Sequence, residues 1–310
     1  MGRAPCAGHA RLRGRFYIVV LLANGWVSMA RTPSKKTMDR TITGVLVAML
    51  VAGLGLLAYP TVSDWWNQRH ASRAISTYDN AVEELTKEKL ASIKRAADNY
   101  NAGLVGKALS FKMSKEERAA YDQLLSVDDS SIMGSIKIER LGVDLPIYHG
   151  TSDGVLQVGI GHLEGTSLPM GGPSTHSVLV GHRGLPSAEL FSRLDTMVEG
   201  DTFCLTVLGE KLWYEVDQVL IVEPDDLSAL SIEEGRDYCT LLTCTPYGIN
   251  THRLLVRGTR IDGPREAVHV TADAVRVEPV LVASVVAAPV LVVMAIVALV
   301  RPRRKKRDDG

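Results

Sequence analysis

Cysteine is scarce in this sequence: four residues in 310, Cys6, Cys204, Cys239 and Cys244, without the dense spacing of a disulfide-stapled domain or the paired spacing of a zinc site. The fold must therefore rest on its core, and a cysteine with a special role has it for its chemistry. Aromatic residues are also few, 5% against 46% hydrophobic overall, which suits one sizeable domain with helical appendages rather than several large cores. Net charge is absent, since 35 Lys and Arg balance 35 Asp and Glu. A balanced chain lacks the basic field that draws in nucleic acid, so no such partner is expected. No internal repeat of fixed period stands out, and no cluster of metal-ligand residues is evident.

The apolar residues concentrate in two charge-free runs, Thr41–Tyr59 and Pro279–Val300, of 19 and 22 residues. A bilayer core about 30 Å thick needs roughly 20 apolar residues at helical rise, so each run is long enough to span. Pro289 within the second is tolerable, because membrane helices accept breakers when the freed backbone groups find partners. Arg31, Lys35, Lys36 and Arg40 precede the first run, and six basic residues between Arg301 and Arg307 follow the second. Basic residues stay on the cytoplasmic side, so both termini are expected inside and the intervening 60–278 outside the cell membrane. Ahead of these runs, Phe16–Val27 forms a weaker apolar patch behind Arg11, Arg13 and Arg15, interrupted by Asn24 and Gly25. Met29 opens MARTPSKKTMDR, the form of an ordinary start, and translation is expected to begin there.

Between the runs the pattern changes twice. Ser63–Tyr121 is rich in Ala, Lys, Glu and Arg, with Ile75, Tyr78, Val82 and Leu85 at helical spacing, and reads as a neck of amphipathic helices. From Ile132 onward, short strand-like runs are broken by Gly and Pro: SIKIERL, VDLPIYHG, HSVLVGHRG, TFCLTVLG, KLWYEVDQVLIV, DYCTLLTCT and THRLLVRGTRI. Such spacing without long intervening helices predicts a mainly β fold, an antiparallel sandwich or barrel. The organisation expected is a leader over 1–40, a span over 41–59, a helical neck over 60–131, a β domain over 132–262, a linker over 263–278, a second span over 279–300 and a basic tail over 301–310.

Chemistry is sought where strands end, because a strand end projects a reactive group from a rigid scaffold. Along Asp237–Thr243, Tyr238, Thr240, Leu242 and then Cys244 share one face, while Cys239, Leu241 and Thr243 face the other way. Cys239 and Cys244 therefore diverge, and a bridge between them is not expected. Thr245, Pro246, Tyr247 and Gly248 stop the strand just past Cys244, leaving its sulfur near an opening. A lone cysteine there is more commonly structural. Arg253, nine residues on, opens the next strand, and a short loop would set sulfur and guanidinium side by side. A cation so placed favours thiolate and can bind a developing oxyanion; the plainer meaning of Arg253 is a surface ion pair. His182 ends the run SVLVGH before a turn, with His162 in GIGHLEG as a rival; His149, His176, His252 and His269 lack that placement.

The string TLLTCTPYGINTHRLLVRG, Thr240–Gly258, resembles the signature of the sortases, cysteine transpeptidases in which a Thr-Leu-x-Thr-Cys strand is followed by an arginine at the start of the next strand. SVLVGHRGLP resembles that family's histidine segment, and GVLQVGIGHLEGTSLPMGG the stretch before it. The likeness covers about 130 residues, Ile132–Ile261. The Thr-Pro-Tyr-Gly-x-Asn-Thr-His-Arg form, the neck and the C-terminal apolar run are similar to class C, the pilus-assembling sortases of Gram-positive cells. The resemblance implies a closed β-barrel and a catalytic trio of His182, Cys244 and Arg253, with His162 and Thr243 supporting substrate or oxyanion. With no metal-ligand cluster in the sequence, no cofactor and no metal are expected. The implied reaction is cleavage of a Leu-Pro-x-Thr-Gly-like sorting signal between Thr and Gly and transfer to an amine, of a pilin lysine or of the peptidoglycan. The implied partners are surface proteins bearing such signals.

One departure is visible. Class C members resemble each other in a lid bearing an Asp-Pro-aromatic triplet, and its equivalent here is Phe111, Lys112 and Met113. The acid is missing and a lysine beside a catalytic arginine would repel it, so self-inhibition is expected to be loose or absent. Two other readings stand beside the pilin polymerase: a housekeeping transpeptidase that anchors proteins to the wall, and a non-catalytic exported binding or scaffold module.

Overall fold

The computed structural model describes residues 35–263, except 186 and 227. The expected leader, the second apolar run and the basic tail, with nearly all of the linker, lie outside the described residues. The chain divides into two compact units, Met1–Leu56 with Glu278–Gly310, and Leu57–Val277. In the first, the described part is the beginning of helix α1, Lys35–Glu83. This helix carries an 18-residue window of mean hydropathy 2.3 with no buried side chains, long and apolar enough to cross a membrane.

The second unit holds the rest of α1, the helices α2 (Lys87–Ala102) and α3 (Lys115–Tyr121), and a β domain. Pro60 does not stop α1, which runs 49 residues. A proline removes one backbone bond, and the turns beyond it are held by packing instead. Tyr78 is buried on the β domain, donating through its hydroxyl to the Met133 carbonyl at 3.0 Å and accepting from the Leu208 N–H at 3.1 Å. Burial pushes its pKa up to about 12. Asn101 at the end of α2 bonds both backbone groups of Leu168, and a capping box of Ser114 and Glu117 starts α3.

Eight strands form a closed barrel: β1 (Ile132–Ile138), β2 (Val143–His149), β3 (Ile160–His162), β4 (Thr175–Val180), β5 (Thr202–Val207), β6 (Glu210–Val222), β7 (Asp237–Thr245) and β8 (His252–Ile261), with a single helical turn, α4 (Asp153–Leu156), ahead of β3. The order around the barrel is β1-β2-β3-β4-β7-β8-β6-β5. The sequence pattern predicts antiparallel pairing, and most neighbours obey it, but β2–β3 and β4–β7 run parallel. Closure removes every sheet edge.

Alternation along each strand separates two apolar clusters. Leu179, Cys239, Leu241, Leu254 and Val256 belong to the main core with Ile136, Ile147 and Phe203. Their neighbours Val178 and Leu255 face the other way, into a smaller cluster with Leu230, against which Val180, Leu220, Leu242, Leu109 and Phe111 pack. That second face carries the site.

Candidate active site

β7 is built of Thr, Leu and Cys that suit a pleated, half-buried surface, and Pro246 ends it because it has no N–H to donate. The chain turns back compactly, the N–H groups of Ile249 and Asn250 both donating to the Pro246 carbonyl. β8 then pairs antiparallel with β7, and the register sets Cys244 opposite Arg253. Residues opposite each other lie about 4.5–5.5 Å apart at Cα and point to the same face.

On the other side of β7, β4 pairs parallel through Val180 opposite Leu242, and the Gly181 N–H donates to the Leu242 carbonyl at 3.0 Å. The same register, extended two residues past the end of β4, would set His182 level with Cys244. Across β8, Val222 of β6 stands opposite Arg253. The pairing thus gives one row of Cys244, Arg253 and Val222 across the barrel and beneath it a row of Val180, Leu242, Leu255 and Leu220, with His182 two residues past Val180 at the same end of β4. A thiol and a guanidinium lie opposite each other next to this apolar row.

His182, Cys244 and Arg253 are half-buried. Cys244 is a free thiol. Arg253 donates from Nη1 to the carbonyls of Asn250 and His252, at 3.3 and 3.1 Å, and among the described residues it meets no carboxylate. Loop carbonyls therefore aim the guanidinium while leaving its charge unneutralised. Among the described residues the His182 ring has no hydrogen-bond partner, so its position depends on its backbone. Gly181 before it is required by close approach: a Cβ there would lie 2.5 Å from the Phe191 ring.

His162, one strand away from His182, is a different kind of residue. It is fully buried, its Nε2 donating to the Ser167 carbonyl and its Nδ1 accepting from the Tyr121 hydroxyl, both at 2.8 Å. Burial pushes its pKa down from 6.5 to about 4, so the ring is neutral. Thr243 is buried on the interior face, where its hydroxyl donates to the Gly181 carbonyl at 2.8 Å. In this structure His162 bonds within the core, and Thr243 ties β7 to the residue before His182. His176 is satisfied too, between the Ser231 carbonyl and the Thr240 hydroxyl.

In the segment with no regular structure between α2 and α3, Phe111 packs on the outer cluster, Met113 packs on the main core, and Lys112 between them is exposed. Among the described residues no hydrogen bond or ion pair joins this segment to Cys244, His182 or Arg253.

Arg183 was missed by sequence reasoning. Its side chain is 8% exposed; Nη1 donates to the Thr245 hydroxyl at 3.1 Å, Nη2 pairs with Asp195 at 2.5 Å, and the guanidinium lies over the Tyr247 ring. It joins the residue after the histidine to the residue after the cysteine. Gly184 follows with φ +80°, and a Cβ there would lie 2.9 Å from Tyr247. The one signal in the sequence was an arginine directly after an apolar strand, which reads equally as a solvated charge. Among the described residues no three His, Cys, Asp or Glu side chains form a group that could hold a metal ion.

Comparison with known proteins agrees with this architecture. The sortase domain family model matches residues 136–261. The crystal structure of sortase C1 from Streptococcus agalactiae is 49% identical, covering 62% of this chain and 99% of that one with a TM-score of 0.60. Streptococcus pneumoniae sortase C is 44% identical, covering 62% and 97%, with a TM-score of 0.55. Sortase D of Bacillus subtilis is 28% identical over 131 residues, 41% of this chain and 63% of that protein's length. The chain belongs to the sortase family, whose members are cysteine transpeptidases.

Proposed function

We propose that this chain is a class C, pilus-assembling sortase in which Cys244 is the nucleophile, His182 the proton carrier and Arg253 the oxyanion stabiliser. The observation that carries the reading is Cys244 opposite Arg253 at the ends of β7 and β8, with His182 two residues past the end of the neighbouring β4. The Cys244 thiolate attacks the threonyl carbonyl of a Leu-Pro-x-Thr-Gly-like signal, forming a C–S bond, and the negative oxygen is held by Arg253. The C–N bond to glycine breaks as the departing amine takes a proton from the His182 imidazolium. In the second half an incoming amine gives its proton to neutral His182 and attacks the thioester. A new C–N bond forms, the C–S bond breaks, and the thiolate returns. The apolar row of Val180, Leu242, Leu255 and Leu220 offers the leucine and proline of the signal a dry surface.

Streptococcus pneumoniae sortase C has pilin substrates, and the class C structures are 40–49% identical to this chain whereas the curated sortases A and D are 22–28% identical. This difference favours a pilin lysine as the amine over the peptidoglycan of a wall-anchoring enzyme. In this reading 132–262 is the catalytic domain and 60–131 its neck. Two spans place both termini in the cytoplasm and the barrel outside. The test is to incubate the full-length chain in nanodiscs with a fluorescent sorting-signal peptide and two competing acceptors, a pilin-derived lysine peptide and a peptidoglycan cross-bridge peptide. Isopeptide product with the lysine peptide is expected to dominate. Dominant cross-bridge product supports the anchoring enzyme, and no product with either acceptor supports a non-catalytic module.

A further inference from the structure

His182 has no hydrogen bond on its ring among the described residues, so the backbone that follows it decides where the imidazole sits. That backbone makes a closed excursion. The Phe191 N–H donates to the His182 carbonyl at 3.1 Å, and the Gly184 N–H donates to the Ser192 hydroxyl at 3.0 Å, which staples the two ends together. Leu185 and Ala188 form an isolated antiparallel bridge that closes the middle. The far side of the excursion is gripped by helix α1. Asn67 donates from Nδ2 to the Ser187 carbonyl at 2.8 Å, and Asp64 accepts the Glu189 N–H on Oδ1 at 2.9 Å. Gln68 donates to the other Asp64 oxygen at 2.7 Å and so fixes the carboxylate. Ala188, between the two gripped residues, is buried, as are Leu190 and Phe191. The Phe191 ring rests on Gly181, so a shift of 187–189 passes through Phe191 to the backbone on either side of His182.

We infer that Asp64 and Asn67 of α1 are positioning residues for His182, holding the loop after it from a helix that lies more than a hundred residues earlier in the chain. The inference rests on the proposed role of His182. Two neighbouring hydrogen bonds from one helix to one loop backbone fix both its height and its rotation, which a single contact does not. Their loss would leave the apolar packing of Ala188, Leu190 and Phe191 in place. The barrel would therefore stay folded while the imidazole loses its register with the sulfur.

The test uses the full-length chain in nanodiscs, with kcat and KM for the sorting-signal peptide measured separately and a melting temperature for each variant. Asp64→Ala and Asn67→Ala are each expected to lower kcat by about threefold to tenfold with KM within about twofold. Asp64→Asn keeps an oxygen that accepts the Glu189 N–H and is expected to restore kcat to within about twofold of the parent. Asn67→Asp keeps the shape but sets a carboxylate against the Ser187 carbonyl, and is expected to lose at least as much as Asn67→Ala. Unchanged kcat in both alanine variants would overturn the inference while leaving the sortase reading intact, as would a kcat loss that tracks the melting temperature or that Asp64→Asn fails to restore. A parent chain that forms no product overturns the sortase reading and this inference together.

Discussion

His162 and His182 lie at opposite extremes of what a histidine can be in a folded protein, although β3 and β4 that lead to them are hydrogen-bonded neighbours. His162 is fully buried with both ring nitrogens engaged, and it is neutral because burial penalises the cation. His182 is half-exposed, and among the described residues its ring is unengaged. The contrast separates two settings for one side chain: inside the barrel His162 has both ring nitrogens bonded, and at the rim the His182 ring keeps its bonding capacity unused among the described residues. Unused capacity beside a thiol is what a proton carrier needs.

The largest effect expected from this contrast is on the rim. Replacing His182 by Ala should lower the rate of acyl transfer by about 10²–10⁴-fold with the melting temperature nearly unchanged, as measured by product formation and thermal unfolding. Under the proposed role of Arg253, Arg253→Ala should cost about 10²–10³-fold, since the Asn250 and His252 carbonyls hold the guanidinium in place without neutralising its charge. Arg253→Lys should recover little of this, since one ammonium cannot reproduce the fork.

In the buried core a substitution should act on stability alone. Tyr121→Phe removes the hydroxyl that donates to His162 and accepts the Gly150 N–H, leaving two buried groups unsatisfied. A loss of about 1–3 kcal/mol in denaturant unfolding is expected, with kcat per folded molecule preserved. The pH dependence carries a definite sign. Folding holds His162 neutral down to about pH 4, whereas the unfolded ring takes up a proton near 6.5. Its contribution is fully present above about pH 6.5 and is lost as pH falls toward 4, a change of about 3 kcal/mol over that window. His176 adds a loss of the same sign, its pKa also lowered by burial. Unfolding measured between pH 7.5 and 4.5 should show this slope, and His162→Gln should flatten it.

The smallest effect concerns the segment over the outer cluster. Phe111→Ala should raise the rate with a sorting-signal peptide by less than about tenfold, because the segment is held by partial burial of Leu109 and Phe111 without an ion pair to Arg253. Progress curves with saturating peptide would measure it, and a larger acceleration would mean that the segment guards the site more tightly than its contacts suggest.

Much of the site was legible because strand parity is a local rule. Alternation along Asp237–Thr245 and a loop short enough to keep the pairing put Cys244 opposite Arg253 without any knowledge of the barrel. The histidine was not legible in the same way. β4 meets β7 in parallel after a long excursion of chain, and parallel register is set by closure of the whole barrel rather than by a turn. Arg183, Asp64 and Asn67 stayed hidden for a related reason: each acts through a backbone group or a residue far away in the chain, and a polar side chain says nothing by its type about which distant carbonyl it will meet.

The account turns on Cys244 being the acyl acceptor rather than one of the two buried thiols, Cys204 and Cys239. The direct measurement is to trap the full-length chain with a sorting-signal peptide in the absence of an amine acceptor and locate the thioester by intact mass and peptide mapping. A single acyl adduct, mapped to Cys244 and absent from Cys244→Ala, is the predicted result. An adduct on Cys204 or Cys239, or one that persists in Cys244→Ala, would contradict it.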